Sequence, residues 1–126
     1  MKPLTDHNAR KRESVSIAKI TAVYINDQVE DIGSKIILLA GVDNEGFISG
    51  DEWYGTTFND DLIHPYILEK NGDLNYGHAD EDDLYIEHSD IRQHKIEVGM
   101  CFHIQDEHDE VESDDTYIVI SVYYYG

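Results

Sequence analysis

A strict alternation of apolar and polar residues runs through "KIEVGMCFHIQ" (95–105), and it constrains the fold more than any other feature. Ile96, Val98, Met100, Phe102 and Ile104 occupy every second position. This period is that of a strand with one buried face, because successive side chains of a strand point to opposite faces. The β-branched segment "TYIVISV" (116–122) follows. The pattern therefore predicts an antiparallel hairpin over residues 95–125.

Three further segments have the composition of strands. Residues 14–27 are rich in β-branched side chains, and a slip in their apolar phase predicts a bulge near Lys19. The run "SKIILLAGVD" (34–43) predicts a strand buried on both faces, with "FISGDEWYG" (47–55) as its hairpin partner after a turn. The segment "LYIEH" (84–88) predicts a short strand with Leu84 and Ile86 on one face.

The middle of the chain has no clear period. Residues 58–73 are compatible with one short helix that begins after Asn59 or Asp60 and is interrupted by Pro65. The resulting fold prediction is mainly β: a small antiparallel barrel or sandwich of about six strands, with at most one short helix. The chain of 126 residues has the length of one domain. We expect residues 1–13 to be a flexible lead-in and residues 14–126 to form a single β-rich domain.

The charge of the chain limits its partners. The formal net charge is −18, and it is uneven: residues 1–40 sum to +1 and residues 41–126 to −19. Such a surface repels nucleic acid and anionic membranes, so we expect neither as a partner. Cys101 is the single cysteine, which excludes an internal disulfide. The longest apolar run, residues 36–42, is too short to span a bilayer. These features favour a cytoplasmic protein.

Two dense acidic segments are the candidate binding site. The first is "DEDD" (80–83), and the second is the connection of the terminal hairpin, about eleven residues long and therefore longer than most hairpin loops. Crowded carboxylates repel one another, and a cationic partner relieves that repulsion. The alternative is a solvated loop that aids solubility. The candidate partner-binding residues are Asp80, Glu81, Asp82, Asp83, Tyr85, Asp106, Glu107, Asp109, Glu110, Glu112, Asp114, Asp115 and Tyr117.

We expect several other acidic residues and tyrosines to belong to the same surface. The acids are Asp43, Glu45, Asp51, Glu52, Asp60 and Asp61. Tyr54, Tyr76 and residues 123–125 lie in or beside acidic stretches. Tyrosine is common at protein interfaces, because it buries a large area at a low entropic cost. A surface of acids and tyrosines predicts binding to a basic protein.

The sequence predicts neither a dedicated metal site nor an enzyme. A calcium loop counted from Asp73 would need Gly at its sixth position and Glu at its twelfth, which hold His78 and Leu84. The histidines lack zinc-ligand spacing, although His103 and His108 flank the acidic connection and could respond to pH. Cys101 and His103 share a strand face but lie too far apart for direct activation. We therefore predict no cofactor, no metal and no catalytic residues.

The segments "DEDDLYIEHSD" (80–90) and "QDEHDEVESDDTYIVISVYYYG" (105–126) resemble small acidic immunity proteins of bacterial polymorphic toxins. The resemblance implies a cytoplasmic inhibitor that binds a cognate toxin through its acidic surface. The alternative is a phage-type DNA mimic that blocks restriction or CRISPR enzymes, because carboxylates can imitate phosphates. A nearly neutral first third of the chain favours one specific protein partner over general DNA mimicry. A structural module and a weak calcium-binding domain also remain open.

Overall fold

Among the residues that the structure describes, eight antiparallel strands, each paired with the next along the chain, close into a barrel through the pairing of the last strand with the first. The computed structural model describes residues 15–78, 84–106 and 114–125. The strands are β1 (Val15–Asn26), β2 (Val29–Asp43), β3 (Trp53–Asn59), β4 (Leu62–Leu68), β5 (Asp73–His78), β6 (Leu84–Ser89), β7 (Cys101–Asp106) and β8 (Asp114–Tyr124). A mainly β, antiparallel fold is confirmed, and it is a barrel. The expected number of about six strands is wrong.

The helix considered for residues 58–73 is also wrong. This segment contains the turn after β3, the whole of β4 and the start of β5. Pro65 is compatible with a strand here. Strand β4 pairs with β5 only at Ile67 and Leu68, so none of the described β4–β5 pairs needs the N–H that Pro65 lacks. In the described ranges the only helical element is a 3-10 turn, Ile91–Gln93.

The first hairpin shows where the chain departs from a regular ladder. Asp27 and Gln28 form its turn with φ of 52° and 64°, the left-handed values of the two-residue turns that suit the twist of a hairpin. The register shifts lie between Val23 and Tyr24 towards β2, and between Thr21 and Ala22 towards β8. The extra residues belong to the partner strands, residues 32–34 of β2 and Ile120 of β8, while the residues of β1 follow one another without a gap in both ladders. The bulge predicted within the first strand near Lys19 is therefore wrong.

The strands bury the side chains of their inward-facing side, and the side chains of the outward-facing side are more exposed. The largest fully buried side chains are Phe102, Ile20, Leu38, Leu68, Val23 and Val119. In β2, Ile36, Leu38 and Ala40 point inward, whereas Leu39 is 43 % exposed. The prediction that β2 is buried on both faces is therefore wrong, because one face of a barrel strand looks outward.

The terminal hairpin is confirmed, with a shorter ladder than the sequence predicts. Strand β7 begins only at Cys101, because the chain turns at residues 97–100: the N–H of Met100 donates to the carbonyl of Glu97, and Gly99 has a φ of 94°. Ile96 remains buried in the loop before that turn, and Val98 is exposed. At the other limit, β7 ends at Asp106 and β8 begins at Asp114, so only residues 107–113 separate the described strands. The predicted connection of about eleven residues is too long.

The up-and-down order places alternate connections at opposite ends of the barrel. We call the end with the connections β2–β3, β4–β5 and β6–β7 the closed end. The guanidinium of Arg92 joins all three: it donates to the carbonyls of Glu69, Gly50 and Asp51 at 3.0–3.1 Å. Ile48, Ile91 and Ile96 are buried beneath these loops. This end is therefore sealed by apolar packing and by one cation.

Candidate functional site at the acidic end of the barrel

The opposite end, which we call the acidic end, carries the connections β1–β2, β3–β4, β5–β6 and β7–β8. Its two described turns contain Asp27, Asp60 and Asp61. The other two connections leave from the paired residues His78 and Leu84, and from the paired residues Gln105 and Asp114. All four connections thus join strand ends on one side of the barrel. Glu30, Asp31, Asp106, Asp114 and Asp115 lie on the adjoining strands.

The structure describes five of the candidate partner-binding residues. Asp114 and Asp115 are exposed at the start of β8, and the hydroxyl of Tyr85 donates to Asp106 at 2.9 Å. Tyr117 is only 7 % exposed, because its ring stacks on Phe102 with 5.8 Å between the centroids. It is a core residue with little surface for a partner. The candidates outside the described ranges are Asp80, Glu81, Asp82, Asp83, Glu107, Asp109, Glu110 and Glu112.

The acids that the sequence analysis grouped around these clusters are divided between the two ends. Asp60 and Asp61 belong to the acidic end. The set Asp43, Glu45, Asp51 and Glu52 lies in or beside the β2–β3 connection at the closed end. There the Asp43 carboxylate accepts the N–H groups of Glu45 and Phe47 at 2.9 and 3.0 Å, so it stabilises a turn. Placing these four acids on the same surface is therefore wrong.

Inside the acidic end the barrel is hollow. A cavity of about 450 Å³, which we call the mouth cavity, is lined by residues of six strands, β3 to β8. An eight-stranded barrel is just wide enough to be filled by its own side chains or to hold one small ligand. Here apolar side chains fill the part towards the closed end. The lining residues are Thr57, Asn59, His64, Pro65, Tyr76, Tyr85, Glu87, Ile104, Asp115 and Tyr117.

Glu87 is the central acid of this cavity, and it is not among the binding residues predicted from the sequence. The Tyr76 hydroxyl donates to Glu87 Oε1 at 2.7 Å. It also lies 2.9 Å from Thr57 Oγ1, which must be the donor, because the tyrosine proton already points at the carboxylate. Burial raises the pKa of Glu87; the Tyr76 hydrogen bond and His64 oppose this, and Asp106 and Asp115 add to it. The signal was present in "LYIEH": Tyr85 and Glu87 share a face, and it is this polar face that lines the interior.

Tyrosine rings form much of the wall. Tyr76 and Tyr85 are nearly perpendicular, with 5.4 Å between their centroids, and Tyr66 packs against Tyr76 at 5.6 Å. Tyr66 closes over Gly55, where a Cβ would lie 2.4 Å from Tyr66 Cζ and 2.6 Å from the carbonyl oxygen of Ile37, so this position requires glycine. Burial is the main cause that raises the pKa of Tyr76 far above 10.0. The hydroxyl of Tyr76 therefore remains protonated and acts as a fixed donor.

The histidines of the described strands have other partners. The Asp90 carboxylate lies 3.1 Å from the His94 ring and 3.2 Å from the His103 ring, and it accepts the His103 N–H at 2.7 Å. Burial raises the pKa of Asp90, but these hydrogen bonds outweigh it and lower the pKa overall. His88 Nδ1 lies 2.5 Å from Asp73. Cys101 and His103 are both exposed on the outer face of β7.

Within residues 15–78, 84–106 and 114–125, no group of three or more His, Cys, Asp or Glu side chains is placed to hold a metal ion. None of the helices in these ranges is long and apolar enough to cross a membrane. Comparison with protein-family models, curated proteins and solved structures gives no match. Function has therefore to be inferred from the geometry and charge of the acidic end.

Proposed function

We propose that this chain is a cytoplasmic binding protein that engages and inhibits a basic protein through its acidic end. The biological class we favour is an immunity protein that neutralises a cognate bacterial toxin. The observation that carries the proposal is topological: four connections with carboxylates in or beside them share one end of the barrel, whereas Lys70, Arg92 and Lys95 belong to the closed-end connections.

The distribution of charge also bears on the alternative, a DNA mimic of phage type. Duplex DNA presents about one charge per 1.7 Å along an extended axis. The described carboxylates of the acidic end instead surround the opening of a barrel. Such a cluster fits a compact basic patch better than a long nucleic-acid groove, and this favours a single protein partner.

The test is affinity capture from the source cell with two charge-matched variants. The first changes Asp27, Asp61 and Asp114 to Asn at the acidic end; the second changes Glu45, Glu52 and Glu97 to Gln at the closed end. All six side chains are exposed, and each variant removes three charges from the same net charge of −18. Any non-specific effect of net charge is therefore equal in the two variants.

We expect a basic protein to be captured by the wild type and the closed-end variant, and much less by the acidic-end variant. The acidic-end variant should bind the purified partner at least about tenfold more weakly than the wild type does. Its binding should also lose much of its salt dependence, because exposed charges act mainly on the association rate. The wild-type chain should also inhibit the activity of the purified partner. Equal capture by both variants would contradict the proposal. The DNA mimic would be supported instead if the captured protein is a restriction or CRISPR enzyme and duplex DNA displaces it from the chain.

A further inference from the structure

The mouth cavity has features that contact between two surfaces does not require. Its volume of about 450 Å³ lies within the range of small-ligand sites, and its walls come from six strands of a closed barrel. The exposed carboxylates of the acidic end could attract a basic partner without any hollow behind them. The cavity therefore calls for a ligand of its own.

The lining selects the chemistry of that ligand. Glu87 and Asp115 bring negative charge to the cavity, and neither Lys nor Arg is among the described residues that line it. An anion would be repelled, and a neutral apolar ligand would remove water from Glu87 without replacing its hydrogen bonds. An inorganic ion fits poorly, since the described part of the chain groups no three His, Cys, Asp or Glu side chains that could hold a metal ion. An organic cation satisfies the carboxylates and fills the volume.

The aromatic walls point to the same class. Cations bind over the faces of aromatic rings, within about 6 Å of the centroid. Tyr76 and Tyr85 stand at 87° to each other, and both line the cavity. Ile104 and Pro65 supply apolar contacts for a hydrocarbon stem. The hydrogen bonds from Thr57 to Tyr76 and from Tyr76 to Glu87 hold the ring and the carboxylate in place before a ligand arrives.

We propose that the mouth cavity binds an ammonium or guanidinium group on a hydrocarbon stem, with the charge between Glu87 and the Tyr76 and Tyr85 rings. Two sources carry this chemistry. One is a free amine, which requires no protein partner. The other is a lysine or arginine side chain of the partner, and this source rests on the proposed function.

The experiment titrates the purified full chain with single-charge probes at physiological salt, followed by calorimetry and by the aromatic NMR signals. The free probes are butylammonium and phenethylammonium, with the corresponding alcohols as neutral controls. The peptide probes are capped Gly-Gly-Lys-Gly-Gly and Gly-Gly-Arg-Gly-Gly, with norleucine and citrulline as neutral replacements. We expect saturable single-site binding of a cationic probe with a Kd below about 1 mM.

Three variants separate the cavity from general attraction to an acidic protein. Glu87→Gln should weaken binding at least about tenfold, because the amide oxygen can still accept a hydrogen bond but no longer carries the negative charge that faces the cation. Tyr85→Leu keeps every carboxylate and removes one aromatic wall, so it should also weaken binding. Asp61→Asn removes an exposed charge at the same end, outside the cavity, and should leave binding unchanged. Far-UV circular dichroism verifies that each variant is folded.

The outcomes are distinct. Binding of the free amines supports a small-molecule site, and binding of the peptides alone supports a side chain of the partner. The inference is wrong if no cationic probe binds, if the neutral controls bind equally well, or if Asp61→Asn weakens binding as much as Glu87→Gln. None of these titrations contains the partner protein. Failure of the capture experiment above would therefore leave the free-amine source standing, and failure here would leave the acidic-end proposal standing.

Discussion

The hydroxyl of Tyr76 offers the sharpest test of how the mouth cavity is held in shape. The change Tyr76→Phe removes the donor to Glu87 at 2.7 Å and the acceptor from Thr57 at 2.9 Å. It keeps the ring, which packs against Tyr66 and Tyr85. The substitution therefore isolates two hydrogen bonds and leaves the aromatic contacts in place.

The expected destabilisation follows from the type of each bond. A hydrogen bond to a charged group contributes about 1.5–3 kcal/mol, and a neutral one about 0.5–1.5 kcal/mol. Glu87 is only partly buried, so water in the cavity can replace part of what is lost. We therefore expect Tyr76→Phe to lower the free energy of unfolding by about 2 kcal/mol, near the lower limit of the sum. Tyr54→Phe is the control: this side chain is 61 % exposed, and its loss should stay within about 0.5 kcal/mol.

The assay is urea unfolding at neutral pH, followed by circular dichroism, in a double-mutant cycle with Glu87→Gln. Because Glu87 accepts the Tyr76 hydrogen bond, the two changes should be non-additive by about 1 kcal/mol. If Tyr76→Phe is no more harmful than Tyr54→Phe, or if the cycle is additive, the bond does not hold the cavity as we describe.

The same site predicts a pH dependence with a defined sign. The pKa of Glu87 is raised in the folded state from 4.5, so folding disfavours its charged form. That unfavourable contribution is fully present above the folded pKa, and it disappears as the pH falls towards 4.5. The groups that face Glu87 are His64 on β4, Tyr76 on β5, Asp106 on β7 and Asp115 on β8. Loss of the Tyr76 donor should raise the pKa of Glu87 further, and NMR titration of the Glu87 carboxyl measures this directly.

Three further predictions concern the closed end, the acidic connection and the cysteine. Arg92→Lys should destabilise the barrel by about 2 kcal/mol in urea unfolding, because an ammonium cannot reach the three carbonyls that the guanidinium fork joins; Lys95→Arg is the control, and an equal effect of the two would contradict this role. The amide variant of the acidic connection should keep or gain stability as repulsion falls while partner binding weakens by orders of magnitude, and full inhibition by it would refute charge recognition. The residues changed in it are Asp106, Glu107, Asp109, Glu110 and Glu112. Cys101→Ser should leave inhibition intact, since no base is placed to activate this exposed thiol, and complete loss in a folded variant would reopen nucleophilic catalysis.

The terminal hairpin could be predicted from the sequence because its alternation spans enough residues to exclude a helical period. The middle of the chain could not. In β4, Leu62 and Ile63 are adjacent, apolar and both exposed, and Pro65 follows, so no period of two is visible. The strand exists because β3 supplies a complete ladder from Asn59–Leu62 to Trp53–Leu68, which is a tertiary cause. The local β-propensity of residues 62–68 does not reveal this pairing.

A strand that is not predicted from the sequence also leaves the site unrecognised, because each strand reverses the direction of the chain. The end at which a connection lies depends on how many strands precede it. A helix over residues 58–73 would replace β4 and the start of β5. The number of strands before each connection is then unknown, and the turn at Asp60 and Asp61 cannot be assigned to the same end as the segments 79–83 and 107–113. Composition alone therefore identified the acidic residues. It could not tell that Asp43 and Asp51 belong with the opposite end.

The separation of the two ends bears on what the charge is for. The Coulomb energy of like charges falls with distance, so a chain that needs acids only for solubility repels itself least when they are spread evenly. Here the closed end holds Arg92 and buried isoleucines that seal the barrel. The acidic end opposes folding instead, since burial and, to a smaller extent, the nearby carboxylates of Asp106 and Asp115 raise the pKa of Glu87. Repulsion concentrated beside an open cavity brings the barrel no stability of its own, and a bound cation relieves it. If the acidic end binds a cationic partner, as we propose, the closed end supplies the stability that the acidic end lacks.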